Sequence, residues 1–486
     1  MDAVKTRFAP SPTGQLHVGS ARTALFDYLL ARHMGGTMLL RIEDTDRERH
    51  VEDAVQRIQE DLRWLGLTWD EGVGAGGNAG PYVQSERLEI YRTYIDQLVT
   101  AGKAYYAMET GAELDAMREA ASAQKQTFRY QRPDPLPTQA DADAAEAAGR
   151  PLVVRFKAPG QDVTMHDEVF GDVTIPAGEQ EDFIIRKADG YPTFYLANVV
   201  DDSLMGVTFV LRGQEFLGQT WRQKLLREAF GWPEPRHAHL PLIMDMKGRK
   251  LSKRDGDVDI LSFRKAGYLP EAMVNFIALL GWSPGNDREK FTLPELCEAF
   301  EIARLGKTNA KFDRDKLLAF NTDAVAAASE DRLLEAFKDY LSLNETPIPR
   351  GNDELLRRLL RIHKGFRTFP DIVGKCGVLF SPDESVQYDP KAVKDVLDKG
   401  EGAGWAVLAE LRSLLADSEW SAEALEKLLA SFGERKGLNM GKIAQPLRVA
   451  VTGRTISPAI YDTLTLLGKT RTLARIDRCL AQRKAN

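Results

Sequence analysis

The fold is set near the start of the chain by the stretch VKTRFAPSPTGQLHVGSARTALFDYLLARH, residues 4–33. Its pattern predicts a strand from Val4 to Ala9, a sharp loop from Pro10 to Gly14 and a helix from Ser20 to His33. A strand that enters a helix through a tight loop places unpaired backbone N–H groups and the positive end of the helix dipole at one point. The stretch therefore predicts a phosphate-binding site at the N-terminus of this helix.

Two residues of this turn add to that prediction. His17 lies beside the start of the helix, where a ring N–H can hydrogen-bond the charge that develops on a nucleotide phosphate. Gly19 allows a ligand to approach the backbone closely. The match to an H-x-G-x pattern is weak by itself, because an ordinary βα turn with an incidental histidine has the same letters.

A second motif, KLSKR at residues 250–254, favours the phosphate-binding site over an ordinary βα turn. It follows the apolar run LPLIM at residues 240–244, and its composition predicts a mobile basic loop. Lysines such as Lys250 and Lys253 raise a reaction rate when they neutralise polyphosphate charge in the transition state. A solvated basic turn is the plainer and commoner meaning of such a run. Taken together, the two motifs indicate ATP-dependent adenylate chemistry.

The composition limits the classes of protein to consider. With 486 residues, 28% of them charged, the chain is long enough for three or four domains. No stretch approaches eighteen apolar residues and the N-terminus has no apolar signal core, so we expect a cytoplasmic protein without a membrane partner. Three scattered cysteines, Cys297, Cys376 and Cys479, suit a reducing compartment. The formal net charge is −6, yet residues 434–486 are locally basic, which makes that helical region a candidate surface for phosphates.

The predicted elements change in kind along the chain. Helices and strands alternate at first, which favours a parallel sheet, and Asp46 is expected to cap an amphipathic helix. From 109 to 149 the composition shifts to Ala, Asp, Glu and Gln, and strand patterns follow at 152–156 and 183–185. This shift indicates an insertion that divides one nucleotide-binding fold. After Lys253 the pattern is mostly helical.

The succession of motifs resembles that of the bacterial glutamyl-tRNA synthetases, which are class I enzymes. The resemblance runs almost from end to end and rests on the two motifs above, their RFAPSPTG lead-in, and LRIEDTD (40–46), GYPT (190–193), NVVDD (198–202) and AQPLR (444–448). Ser20 stands where many class I members carry a second histidine, but glutamyl enzymes often have a small or hydroxyl residue there.

The resemblance implies a complete architecture. It predicts an α/β fold with a Rossmann-like, doubly wound class I catalytic domain, an inserted acceptor-binding domain and an all-α C-terminal half. The expected boundaries are 1–108 and 190–245 for the catalytic domain, 109–189 for the acceptor-end insertion, 246–325 for a stem-contact domain with the KLSKR loop, and 326–378 and 379–486 for two helical anticodon-binding subdomains.

The substrates implied by the resemblance are L-glutamate, ATP and tRNA-Glu. Arginine matches carboxylate geometry and a carboxylate matches an ammonium group. The resemblance assigns Arg7 and Arg212 to the substrate carboxylates, Glu43 to the amino group and Ser11 to a supporting hydrogen bond. Asn198 belongs to the same pocket, as does Phe194, which replaces a tyrosine of many relatives.

The resemblance also implies an ATP site and an anticodon site. ATP is expected at His17, Gly19, Glu215, Leu242, Lys250 and Lys253, of which His17, Lys250 and Lys253 are the predicted catalytic residues. The candidates for the third anticodon base are Arg358, Arg361 and Lys364.

No protein metal ligand is predicted. Mg²⁺ is expected with ATP through oxygen ligands from phosphate and water. Some relatives bind zinc through cysteines in the insertion, but residues 103–108 and 128–132 contain none, so no structural zinc is expected. We expect a monomer that binds no DNA.

Three alternatives remain open. A glutaminyl-tRNA synthetase shares the class I fold, but its anticodon region is typically built from β-barrels. A truncated relative that glutamylates a tRNA base lacks the anticodon-binding half. A small-molecule nucleotidyltransferase with an H-x-G-x loop would need no RNA partner, which the basic C-terminus and the long helical half do not favour.

Overall fold

The computed structural model describes residues 3–46, 51, 53–252 and 258–485. The chain forms two compact units. The first comprises Met1–Ser262 with Pro270–Arg314, and the second comprises Phe263–Leu269 with Asp315–Asn486. None of the helices in the described part of the chain has the length and apolar character needed to cross a membrane.

The first unit opens with alternating strands and helices. They are β1 (Lys5–Phe8), α1 (Val18–His33), β2 (Thr37–Leu40), α2 (Ala54–Trp64), β3 (Glu71–Gly72) and α3 (Leu88–Thr100). β1 pairs in parallel with β2, and β2 pairs in parallel with β3. The predicted first strand and first helix are thus confirmed, although the helix starts two residues earlier than the pattern suggests.

The expectation that Asp46 caps the second helix is wrong. That helix begins at Ala54, and its N-cap is Asp53, whose backbone is left-handed with φ 62°. In the same motif, Asp44 accepts hydrogen bonds from the backbone N–H of Ser85 at 2.8 Å and from its hydroxyl at 2.6 Å. An acidic cluster before a helix is typical of caps, but Asp44 of this cluster forms a long-range contact with Ser85.

An antiparallel insertion follows α3. Its elements are β4 (Ala104–Ala107), α4 (Gly111–Ala123), α5 (Gln139–Ala147), β5 (Val153–Phe156), β6 (Val163–Asp167), β7 (Gly171–Ile175) and β8 (Phe183–Arg186). The strands form a β4-β5-β8 sheet and a β6-β7 hairpin. Strands are therefore confirmed in both segments where the sequence pattern indicates them, at 152–156 and 183–185.

The parallel sheet resumes after the insertion with α6 (Phe194–Leu204), β9 (Phe209–Gly213), α7 (Thr220–Phe230) and β10 (Arg236–Leu240). β9 pairs in parallel with β10. The N–H of Thr208 donates to the carbonyl of Lys5 at 3.0 Å, and Arg7 Nη1 donates to the carbonyl of Leu211 at 3.3 Å. β9 therefore runs beside β1 in the same direction, so that the three-stranded sheet β3-β2-β1 and the two-stranded sheet β9-β10 meet at the β1 and β9 edges. The strand order reverses between β1 and β9, where doubly wound folds bind ligands at the carboxyl ends of their strands.

The first unit ends with short elements. They are β11 (Ile243–Met244), α8 (Ile260–Lys265), whose last residues belong to the second unit, α9 (Pro270–Ala278), α10 (Leu293–Ala299) and β12 (Ala310–Lys311). β11 pairs in parallel with β12.

The second unit is helical throughout its described residues, as predicted. Its helices are α11 (Arg314–Ala327), α12 (Glu330–Leu343), α13 (Asp353–Ile362), α14 (Phe369–Cys376), α15 (Pro390–Ala392) with a π-helical turn at Val393–Leu397, α16 (Lys399–Asp417), α17 (Ala422–Lys436), α18 (Met440–Thr452), α19 (Ile460–Leu467) and α20 (Lys469–Ala485). Two apolar cores form, one centred on α12 to α14 and the other on α16 to α20.

Part of the basic C-terminal region is internal. Arg475 is fully buried on α20 and donates to the carbonyls of Val378, Ser381 and Val451 and to the carboxylate of Asp383. Arg471 and Arg478, one turn away on either side, also donate to carbonyls of residues 379–386. These contacts tie the three cations into the helical unit, and the fully buried Arg475 cannot form part of a phosphate-binding surface.

Candidate active site at the carboxyl ends of the central strands

A buried charge cluster links β1, β2 and α6. Arg41 Nη1 contacts Asp202 Oδ1 at 2.8 Å, and Arg7 Nε donates to the same oxygen at 3.3 Å. Burial raises the pKa of the Asp202 carboxyl, but the charges of Arg7 and Arg41 outweigh burial and lower that pKa to about 2. A permanently charged Asp202 thus fixes both arginines at the reversal of the strand order.

Glu43 and Asn198 continue this cluster toward the end of β2. Glu43 Oε1 accepts from Arg41 Nη2 at 2.9 Å and from Asn198 Nδ2 at 2.8 Å, and Asn198 Oδ1 accepts from Gln223 Nε2 at 2.9 Å. Burial raises the pKa of Glu43, while the neighbouring Arg41 and Arg7 oppose that shift. The result is an oriented, nearly buried carboxylate that can accept hydrogen bonds from an ammonium group.

Arg212 lies at the carboxyl end of β9 and is 6% exposed. Its Nε donates to His239 Nε2 at 3.0 Å and its Nη2 donates to Thr220 Oγ1 at 2.7 Å. The buried Nη1 has no hydrogen-bond partner among the residues that the structure describes. Burial, reinforced by the charge of Arg7, lowers the pKa of Arg212 to about 9. A buried donor without an acceptor is costly, so this site is complementary to a carboxylate ligand.

The two remaining residues of the predicted glutamate pocket lie at its edge. Phe194 is the first residue of α6, and its ring centroid lies 5.4 Å from that of Phe216, whose ring is 5.4 Å from the Arg212 guanidinium carbon. The neighbouring Tyr195 donates its hydroxyl to Gln219 Oε1 at 2.5 Å. Ser11 is exposed and follows Pro10, whose carbonyl accepts from the N–H of Glu43.

His17 is the N-cap of α1. Its backbone is extended, and its Nδ1 accepts from the N–H of Gly19 at 3.0 Å. A ring nitrogen that accepts carries no proton, so the proton of the neutral imidazole resides on Nε2. The cap therefore fixes the tautomer in which Nε2–H is a donor near the helix N-terminus.

The segment after the KLSKR motif lies against this turn. The N–H of Val18 donates to the carbonyl of Val258 at 2.9 Å, and the N–H of Ile260 donates to the carbonyl of Leu16 at 2.9 Å. Lys250 is exposed on a hairpin in which it pairs with Met244. Lys253, the other predicted catalytic lysine, lies outside the described residues.

Arg22 connects α1 to the other residues predicted to bind adenosine. It donates to the carbonyls of Pro241 and Leu280 at 2.5 and 3.1 Å. Burial lowers the pKa of Arg22 to about 10, and the nearby carboxylate of Glu215 opposes that shift. Glu215, which is exposed, and Leu242, which follows Pro241, thus lie near the first turns of α1, as do His17 and Gly19.

The three anticodon candidates lie in the helical unit and differ in their contacts. Arg358 is partly buried and donates to Thr465 Oγ1 at 2.5 Å. Arg361 forms a two-pronged ion pair with Glu330. Lys364 is exposed just beyond the end of α13.

The sequence did not assign a role to several residues that shape the site. Arg41 and Asp202 stand inside motifs used for the resemblance, LRIEDTD and NVVDD, where charged residues directly follow apolar ones. A charged residue directly after an apolar run is the sequence feature that could have indicated the burial of Arg41 and Asp202. His239 and Thr220 had no comparable signal, because their role depends on contacts with Arg212 across the fold.

This fold and site define a class I aminoacyl-tRNA synthetase, and comparison with known proteins agrees. Residues 3–319 match the family described as tRNA synthetases class I (E and Q), catalytic domain, and residues 332–480 match the anticodon binding domain family. The chain is 42% identical to the glutamate–tRNA ligase of Anaeromyxobacter sp. (strain Fw109-5), with 99% of each chain covered, and 41% identical to that of Desulforamulus reducens, covering 98% of this chain and 100% of the relative. The chain belongs to the glutamate–tRNA ligase family.

A solved structure supports the same conclusion. The crystal structure of a glutamate tRNA ligase from Elizabethkingia meningosepticum, in complex with its amino acid, superposes with a TM-score of 0.80 at 34% identity and 99% coverage of both chains.

Proposed function

We propose that the pocket around Arg212 binds L-glutamate and that the first turn of α1 binds ATP in the glutamate–tRNA ligase reaction. In this reaction glutamate is activated to glutamyl-adenylate and then transferred to the 3′ end of tRNA-Glu. The observation that carries the glutamate pocket is the buried Arg212, whose Nη1 lacks a partner in the described structure. The charges of Arg7 and Glu43 lie near enough to influence its pKa, so the groups that recognise both ends of an acidic amino acid are close together.

Each polar group of glutamate has a counterpart in this pocket. Arg212 and Arg7 bind the carboxylates by charge-assisted hydrogen bonds, and Glu43 binds the ammonium group. Asn198 orients Glu43 through the 2.8 Å hydrogen bond, and Ser11 supplies a supporting hydrogen bond at the edge of the pocket. Phe194 contributes an apolar wall there.

The chemistry needs no nucleophile from the protein. The α-carboxylate of glutamate attacks the α-phosphorus of ATP, the bond to the β-phosphate breaks, and pyrophosphate leaves. His17 donates from Nε2 to a phosphate oxygen as charge accumulates there, and Lys250 and Lys253 neutralise the same charge. A ribose hydroxyl of the terminal tRNA nucleotide then attacks the mixed anhydride, and AMP leaves. Gly19, Glu215 and Leu242 hold the adenosine.

The remaining partners are also proposed. Mg²⁺ accompanies ATP and takes its oxygen ligands from phosphate and water. The protein carries no structural zinc. Metal analysis of the purified protein tests both statements. We place the protein in the cytoplasm as a monomer, since its three substrates meet there. Light scattering during gel filtration tests the monomer.

Recognition of tRNA involves both ends of the chain. The insertion, proposed at 109–189, receives the acceptor end, residues 190–245 complete the catalytic domain, and 246–325 contact the stem. Helical subdomains at 326–378 and 379–486 bind the anticodon. Among the candidates on α13 and just after it, Lys364 is the best placed for RNA, because it is exposed while Arg358 and Arg361 bind Thr465 and Glu330.

The first experiment is aminoacylation with labelled glutamate or glutamine and separate transcripts of tRNA-Glu and tRNA-Gln. We expect glutamate on tRNA-Glu. Glutamate on both transcripts would show that the enzyme does not discriminate between them, and glutamine on tRNA-Gln would favour the glutaminyl alternative. Absence of charging by folded protein would contradict the proposal and leave a small-molecule nucleotidyltransferase as the next hypothesis.

Variants of the basic hairpin test the ATP site. Lys250→Ala and Lys253→Ala should lower kcat for adenylate formation. Lys247→Ala is the matched control, since Lys247 is an exposed lysine of the same hairpin whose N–H donates to Asp245. Equal loss of activity in all three variants would indicate a general effect of charge and would contradict the specific roles.

A further inference from the structure

Arg212 belongs to a buried row of three hydrogen-bonded side chains. Asp167 Oδ2 lies 2.6 Å from His239 Nδ1 and also accepts from the His239 backbone N–H at 3.1 Å. The other ring nitrogen, His239 Nε2, accepts from Arg212 Nε at 3.0 Å. The three residues are at most 6% exposed, so water does not compete for these contacts.

Every proton in this row has one possible position. The guanidinium of Arg212 can only donate, so His239 Nε2 must carry a lone pair. The proton of the neutral ring is then on Nδ1, where the carboxylate of Asp167 accepts it. Asp167 is fixed in turn, because its Oδ1 accepts from the backbone N–H groups of Val169 and Phe170 at 3.0 and 2.9 Å. A rigid turn of the β6-β7 hairpin thus sets the orientation of the imidazole.

A second contact completes the fixation of Arg212. Thr220 Oγ1 accepts from Nη2 at 2.7 Å and donates to the carbonyl of Phe216 at 2.9 Å. With Nε held by His239 and Nη2 held by Thr220, the planar guanidinium cannot rotate. Its only nitrogen without a partner in the described structure is Nη1.

We propose that Asp167 and His239 are positioning residues that aim Arg212 Nη1 at a carboxylate of the bound glutamate. The inference rests on the proposed glutamate site. Neither residue touches the substrate in this proposal; both act through Arg212. Their effect therefore falls on the affinity for glutamate and spares the affinity for ATP.

The proposal includes a dependence on pH. The charged and titratable groups around His239 are Asp167 on β6, Arg212 on β9 and Arg7 on β1. His237 lies on β10, the strand of His239 itself, and the centroids of the two rings are 6.2 Å apart. Burial lowers the pKa of His239, with the arginines adding to the shift and Asp167 opposing it. At neutral pH the ring is neutral and accepts from Arg212; when acid protonates it, an N–H faces an N–H and the contact is lost.

Two substitutions of His239 separate its two hydrogen bonds. In His239→Asn the amide nitrogen occupies the place of Nδ1 and keeps the bond to Asp167, but nothing reaches Arg212. In His239→Gln the amide oxygen occupies the place of Nε2 and still accepts from Arg212. The test measures KM for glutamate, KM for ATP and kcat of the full chain in aminoacylation of tRNA-Glu. Thermal unfolding gives the Tm of each variant.

The asparagine variant should raise KM for glutamate by about tenfold to a hundredfold, as expected for loss of a hydrogen bond to a charged group. KM for ATP should stay within about twofold of the wild-type value, and the glutamine variant should restore most of the affinity for glutamate. The wild-type enzyme should also show a rise in KM for glutamate at acidic pH that is weaker in His239→Gln.

Four outcomes would overturn the inference. Equal increases of KM for glutamate in both variants, or a parallel increase of KM for ATP, would show that His239 only packs. An unchanged KM in His239→Asn, together with a raised KM in Arg212→Gln, would overturn the positioning role alone. An unchanged KM in Arg212→Gln would overturn the proposed glutamate site and the positioning role together.

Discussion

Asp27 shows how strongly a single buried residue can affect the free energy of unfolding. It is fully buried on α1, and neither carboxylate oxygen has a hydrogen-bond partner among the described residues. Burial raises its pKa well above the usual value, although the charge of Arg7 opposes the shift. The folded protein therefore holds this proton more tightly than the unfolded chain does, so its contribution to stability is full at acidic pH and is lost as pH rises through the folded pKa.

We predict that Asp27→Asn raises Tm at pH 8, because the amide fills the same space without a charge to bury. The gain should shrink as the pH falls below about 3, where the carboxyl is protonated in both states. Thermal unfolding followed at several pH values measures it. Asp96→Asn, at an exposed position of α3, is the control, and a lower Tm for Asp27→Asn at pH 8 would contradict the prediction.

His17 combines a structural and a catalytic role that substitution can separate. We predict that His17→Asn keeps Tm close to the wild-type value, because asparagine is a good N-cap and can accept from Gly19. It lacks the Nε2–H donor, so kcat for adenylate formation should fall about a hundredfold. Pyrophosphate exchange in the presence of tRNA measures this step.

His17→Ala provides the comparison. It should lose the same factor in kcat and also destabilise α1 by about 1 kcal/mol through loss of the cap. If His17→Asn retained full activity, the donor role of Nε2 would be wrong.

At the scale of helices and strands, the sequence predicted what depends on local pattern. The helix Lys399–Asp417 lies in the part of the chain that is predicted to be mostly helical. Gly400, Glu401 and Gly402 have left-handed backbones, so its regular part begins after them. The π-helical turn at Val393–Leu397 lies in the same mostly helical region, and a wider turn leaves no clear mark in the apolar pattern that would distinguish it from an α-helix.

The role of the arginines on α20 cannot be predicted from amino-acid composition. Charge alone indicated a surface for phosphates, but Arg475 has no exposed side-chain surface. We predict that Arg475→Met destabilises the helical unit by about 3 to 5 kcal/mol, because carbonyls of residues 378, 381 and 451 lose their donor in a buried site. Hydrogen exchange of α18 and α20 measures the loss.

Arg435→Met is the matched control for this prediction, since Arg435 is exposed on α17 of the same unit. Its effect should stay within about 0.5 kcal/mol. Similar exchange in the two variants would mean that Arg475 adds little to stability.

At the scale of the whole molecule, the site depends on contacts that no local pattern specifies. The motif containing Arg41 and the motif containing Asp202 lie about 160 residues apart in sequence, yet these side chains are 2.8 Å apart. Asp167 and His239 are likewise distant in sequence. The sequence could supply the residue types and, through the resemblance, their roles; pairing and burial required the folded chain.

The path of the chain between the two units gives a further prediction. Leu269 lies inside the region that matches the catalytic family, yet it is buried in the core of the helical unit and its N–H donates to Asn321 Oδ1 at 2.8 Å. We predict that Leu269→Ala destabilises the helical unit by about 2 to 5 kcal/mol. Hydrogen exchange should increase in α12 to α14.

Leu280→Ala is the counterpart in the first unit, where Leu280 is buried. Its exchange should increase in the first unit and leave α12 to α14 protected. An increase confined to the first unit for Leu269→Ala would contradict the assignment of residues 263–269 to the helical unit.

The unsatisfied nitrogen of Arg212 also affects how the protein is handled in the laboratory. A buried guanidinium whose Nη1 has no acceptor in the described structure attracts any small carboxylate that fits the pocket. Citrate, malonate or acetate in a storage buffer would then compete with glutamate, and the apparent KM would depend on the choice of buffer salt.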